Sequence, residues 1–111
     1  MRVYVFLAGA ILTEVVGTTA LKLSNGFEST VLGLTAIGLY VVSFYFVSLA
    51  LVELPVGLVY ATWSAVGIVG LALIGVAFFG ERVDAAAVIG FAFVIVGILL
   101  LNVYSEAYNP A

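Results

Sequence analysis

Cysteine and histidine are absent from this 111-residue chain. Their absence removes disulfide staples, thiolate chemistry and the nitrogen and sulfur donors that most transition-metal sites need. No metal and no cofactor is therefore expected. Charge is nearly as scarce: three Lys and Arg and six Asp and Glu make up 8% of the chain, where a soluble domain carries about 25%. The basic residues Arg2, Lys22 and Arg82 never cluster, so the chain lacks the positive surface that nucleic acid requires. No nucleophile–base pair is recognisable either, which argues against an enzyme.

What the chain has in abundance is apolar surface. Hydrophobic residues account for 66% of it, more than a small water-soluble core can hide. Lipid is the solvent that fits. Charges and turn residues divide the sequence into four runs, Val3–Leu21, Val31–Val52, Val56–Phe79 and Ala85–Val103. Each is about as long as the ~20 residues a bilayer-spanning helix needs. Barrel strands would instead alternate over ~10 residues, and continuous runs in lipid must satisfy their backbone internally as helices. The expected fold is an all-α membrane protein, one domain over residues 1–111 with four transmembrane helices. Connections this short make consecutive helices antiparallel neighbours.

The topology signal is weak. With four spans, Arg2 falls on one side of the bilayer and Lys22 with Arg82 on the other. Lysine and arginine excess sets orientation, and a one-residue bias, offset by the α-amino group, instructs insertion hardly at all. Insertion both ways round, and pairing of two opposed copies, follow as expectations.

Within the first run, "ILTEVVGTT" places Glu14 alone between Arg2 and Lys22. At about 1.5 Å per residue it lies roughly 16 Å into a core of about 30 Å, close to the midplane. A charge at that depth costs about 2.5–3.5 kcal/mol, and no Lys or Arg lies within any span to offset it. An ionisable residue inside a membrane span is functional by default, and Glu14 is expected to exchange a proton. Leu7, Ala10, Ile11, Gly17, Thr18 and Leu21 share its helical face; Ala10 and Gly17 leave space and Thr18 offers a hydroxyl. A structural role, as a permanently protonated hydrogen-bond donor between helices, is the competing reading.

Aromatic residues recur at helical spacing in the next two runs. Tyr60, Trp63, Ser64 and Gly67 form one stripe of the third, and Tyr40, Ser43, Phe44 and Val47 one of the second. Aromatic faces attract cations by about 0.5–2 kcal/mol each, most when desolvated. An acid and such faces suit a lipophilic cation, with loose shape selectivity. Trp63 also fits an interfacial belt, and Ser43 and Ser64 equally fit hydrogen bonds between helices. In the fourth run Gly90 and Gly97 return to one face, where small residues permit close helix contact.

The segments "TEVVGTTALKLSNGF", "PVGLVYATWSAVG" and "FFGERVD", in this order and with Gly90 and Gly97 following, resemble the small multidrug resistance family of transporters along nearly the whole chain. The resemblance implies an antiparallel homodimer in a prokaryotic plasma membrane that exchanges protons for hydrophobic cations. It makes Glu14 the shared proton and substrate carboxylate. Tyr40, Tyr60 and Trp63 become substrate-binding residues, with Ser43, Phe44, Ser64, Leu7, Ala10 and Thr18 around them. Gly67 is assigned to a bend in the third helix, and Gly90 and Gly97 to the dimer contact. Ala65 departs from the family pattern, which has a further glycine in that bend. Gly17-Thr18 and Asn102-Val103-Tyr104 resemble the quaternary-ammonium branch rather than the guanidinium exporters. Other functions compatible with a lone membrane acid are a proton-conducting subunit and an accessory membrane protein.

Overall fold

The computed structural model describes residues 2–108. Four helices, α1 (Arg2–Leu23), α2 (Thr30–Leu51), α3 (Val56–Phe78) and α4 (Ala85–Leu99), follow one another, with a π-helical turn continuing α4 over Leu100–Tyr104. All are long and apolar enough to cross a membrane when that turn is counted with α4. The described residues contain no strand. They form two compact units that divide between Glu53 and Leu54, and each is a helical hairpin.

In the first hairpin α1 and α2 pack along their length. The buried residues of α1 are Val3, Leu7, Ala10, Gly17 and Ala20, and those of α2 are Gly33, Ala36, Ser43 and Ala50. Both sets recur at intervals that return to one helical face. Small side chains dominate because lipid tails are as apolar as Leu, so helices in a bilayer gain most from close backbone approach and interhelical hydrogen bonds. Both devices are present. A Cβ on Gly17 would meet Leu39 Cβ and the Tyr40 ring at 3.2 Å, and the buried Ser43 hydroxyl donates to the Ala10 carbonyl at 2.7 Å. Phe6 and Phe46 stack at 6.4 Å between ring centroids.

The α1–α2 turn is built from its own polar groups. Ser24, fully buried, donates to the Leu21 carbonyl and accepts from the Phe27 amide. Ser29 caps α2 by accepting from the Leu32 amide. Between them Asn25, Gly26 and Phe27 all have positive φ, a conformation that is uncommon for a bulky residue such as phenylalanine. Phe27 is held there because its ring fills the space beside Gly33, where any Cβ would collide with it.

The second hairpin is built differently. Pro55 precedes α3 in the extended conformation, consistent with its tolerance at a helix start. Asp84 caps α4 by accepting from the Ala87 amide at 2.9 Å. The turn between them returns through Gly80, at φ +67°, and the Glu81 amide donates to the Gly75 carbonyl. No residue of α4 is buried among the described residues. An open groove of about 520 Å³ is lined by residues of both α3 and α4, among them Ala61, Ser64, Ala65, Phe93 and Gly97.

Candidate functional site

Three side chains of the first hairpin, Glu14, Thr18 and Tyr40, form one hydrogen-bonded chain. Thr18, one turn after Glu14 on α1, donates its hydroxyl to Glu14 Oε1 at 3.1 Å. The Tyr40 hydroxyl of α2 lies 2.6 Å from the same Thr18 oxygen. Thr18 has one proton to give. While it points to Glu14, Tyr40 must be the donor to Thr18, and the chain runs Tyr40 to Thr18 to Glu14. If Glu14 carries a proton on that oxygen and donates it, both bonds can reverse. Hydroxyls with one donor and two acceptor sites permit such a reversal without moving a heavy atom.

The other carboxylate oxygen is unsatisfied. Glu14 Oε2 is buried and accepts no hydrogen bond among the described residues. Leaving a buried acceptor bare costs about 1–3 kcal/mol, and more when it is charged. A proton removes that cost, and so does a cation.

Thr18 stands apart from its neighbours. Thr13 and Thr19 on the same helix, and Thr35 on α2, direct their hydroxyls to carbonyls of their own helices at 2.7–2.8 Å. Thr18, at i+4 from Glu14, lies on the acid's own helical face. Gly17 is what admits Tyr40, since its missing side chain leaves room for the ring at that level.

The remaining site candidates fall into distinct surroundings. Leu7, Ala10 and Ser43 are buried in the α1–α2 seam, and the Ser43 hydroxyl is engaged by the Ala10 carbonyl. Phe44 is exposed. In the second hairpin the rings of Tyr60 and Trp63 lie edge to face, 5.9 Å apart, with Tyr60 largely exposed at 64%. Ser64 borders the α3–α4 groove. Gly67 and Ala65 are buried within α3, which is helical from Val56 to Phe78. At Gly90 and Gly97 an added Cβ would meet nothing within 4 Å.

Sequence reasoning passed over a polar pair. The Asn102 amide donates to the Thr62 hydroxyl at 3.0 Å, joining the π-helical turn to α3, and also to the Ile98 carbonyl at 2.8 Å. An amide side chain in an apolar run was the available signal; its partner, forty positions away, was not.

Comparison with known proteins matches this architecture. The family model described as Small Multidrug Resistance protein covers residues 2–102. The chain is 41% identical to the multidrug transporter EmrE of Escherichia coli, over 96% of this chain and 97% of that protein. It is 42% identical to the quaternary ammonium compound-resistance protein QacF of Klebsiella aerogenes, over 96% of each. Identity to the multidrug resistance protein EbrA of Bacillus atrophaeus is 42%, over 89% of this chain and 94% of the relative. Four apolar helices and these relatives make it a multi-pass protein of the prokaryotic plasma membrane. The chain belongs to the small multidrug resistance family of membrane transporters.

Proposed function

We propose that the protein exports hydrophobic and quaternary ammonium cations in exchange for protons, and that Glu14 carries each in turn. The observation that bears most weight is the asymmetry of that carboxyl group: one oxygen is served by Thr18, the other is buried and bare. The bare oxygen needs a positive guest, and a proton and a lipophilic cation are rivals for it. Bound cation excludes the proton, and protonation discharges the cation. Exchange follows from competition for one group.

Tyr40 supports the ionised acid through Thr18. Tyr60 and Trp63 present the aromatic faces that an alkylated or delocalised cation prefers. Such faces impose little shape, which suits the drug and quaternary ammonium resistance named for the relatives.

The working unit in this reading is an antiparallel homodimer. One-residue charge bias lets the chain insert in both directions, and two opposed copies form an inverted repeat about the membrane plane, the arrangement on which alternating access is built. The open positions at Gly90 and Gly97, on a helix without a buried residue among those described, suit contact with a second copy. Gly67 is assigned to the flexing part of α3.

The test is uptake of tetraphenylphosphonium and of a quaternary ammonium series into acid-loaded vesicles containing the purified protein. Glu14→Gln, which keeps shape and hydrogen bonding but cannot ionise, is expected to abolish proton-driven uptake. Full activity in that variant would falsify the assignment.

A further inference from the structure

We infer that Thr62 and Asn102 form a polar latch that fixes the rotational setting of α3 at the level of Trp63, making both of them positioning residues for the cation-binding aromatic pair. The relevance to cations rests on the proposed function; the latch itself rests on the geometry of the second hairpin.

Three observations support it. The first is how little else fixes α3 against α4. No residue of α4 is fully buried among those described, and an open groove of about 520 Å³ lies beside the pair, bordered by Ala61, Ile98 and Leu101. Loose apolar surfaces tolerate rotation, because close packing is what makes a helix interface discrete. A hydrogen bond is directional and specifies an angle.

The second observation is the π-helical turn. Residues Leu100–Tyr104 depart from α-helical register where Asn102 reaches across, and the Ser105 amide donates to the Leu100 carbonyl at 2.9 Å. Such turns inside helices are rare and concentrate at functional positions. Here the wider turn presents Asn102 to Thr62 while one amide also serves the Ile98 carbonyl.

The third is position. Thr62 adjoins Trp63 in sequence, and α3 carries Tyr60 edge to face with Trp63. Successive helical residues are about 100° apart, so turning α3 to satisfy Thr62 sets the direction in which both rings point. The latch is also easily released. Asn102 keeps its bond to Ile98 when it leaves Thr62, and a threonine hydroxyl in a helix can return to a carbonyl of its own helix, as Thr13 and Thr19 do. Bonds of this kind between membrane helices are correspondingly modest.

Trp63 is the sole tryptophan of the chain, so it reports on its own setting. The experiment compares the wild type with Thr62→Val, Asn102→Leu, the double variant and Thr62→Ser, all purified in detergent. Two readouts are used: the Trp63 emission spectrum without ligand, and tetraphenylphosphonium binding by quenching of Trp63. The latch predicts equal spectral changes in Thr62→Val, Asn102→Leu and the double variant. It predicts binding weakened about threefold in each, the double being no worse than either single, and wild-type behaviour in Thr62→Ser. Unchanged spectra in Thr62→Val, or additive losses in the double variant, overturn it. Absence of binding in the wild type would overturn the functional reading instead, and the ligand-free spectra would still decide for or against the latch.

Discussion

The two hairpins solve the same problem in opposite ways. The α1–α2 pair is closed by small buried residues at successive turns of contact and by the Ser43–Ala10 hydrogen bond. In the α3–α4 pair no residue of α4 is fully buried among those described, an open groove lies between the helices, and a side-chain amide bridges them near one end. The difference teaches where rigidity belongs in such a protein. The hairpin that holds the acid must keep Thr18 within hydrogen-bonding reach of Glu14 and Tyr40 within reach of Thr18, and close packing provides that. The other hairpin keeps open faces, which the proposed dimer would use.

The sharpest way to break this contrast is to add carbon at glycines. Gly33→Ala drives a Cβ into the Phe27 ring, and Phe27 is already held at φ +68°. A loss of about 2 kcal/mol in stability is expected, measured by denaturant unfolding in mixed micelles. Gly90→Ala and Gly97→Ala meet nothing in the chain. They should leave monomer unfolding within about 0.5 kcal/mol of wild type while weakening dimerisation in a dilution assay. Equal destabilisation at all three glycines would erase the distinction between the hairpins.

A smaller effect tests the site itself. Gly17→Ala pushes against the Tyr40 ring at 3.2 Å, and cation affinity should fall about tenfold, because about 1–1.5 kcal/mol of strain lands on the Tyr40–Thr18 bond. Tyr40→Phe removes the donor to Thr18 without altering packing. A loss of about threefold in cation binding at fixed pH is expected, since net interhelical hydrogen bonds in membranes average about 0.6 kcal/mol. Isothermal calorimetry resolves both. Ser43→Ala should show the least: a stability loss of about 0.6 kcal/mol from the freed Ala10 carbonyl, with binding retained.

Much of this was legible in the sequence, for reasons specific to lipid. A bilayer forbids unsatisfied backbone, so four long apolar runs can only be helices, and Glu14 announced itself by being charged where nothing else is. Thr18 was legible too, because i+4 spacing is local geometry. Tyr40's bond to Thr18 was not, since the approach depends on the bare surface of Gly17 and on the relative rotation of two helices. Ser43 shows the limit of stripes: its spacing fits a chamber wall as well as a seam, and its buried hydroxyl is engaged by Ala10. The π-helical turn and the Thr62–Asn102 bond have no periodic signature at all, because each is settled by where a neighbouring helix offers a partner.

The most direct measurement is proton release on binding cation. Purified wild-type protein in a weakly buffered detergent solution is mixed with tetraphenylphosphonium near neutral pH, and the pH change is followed alongside the bound cation. Rivalry for one carboxyl group predicts acidification that rises and saturates with occupancy, and none in Glu14→Gln. Saturable binding to the wild type with no proton released at any pH across the physiological range would contradict the account.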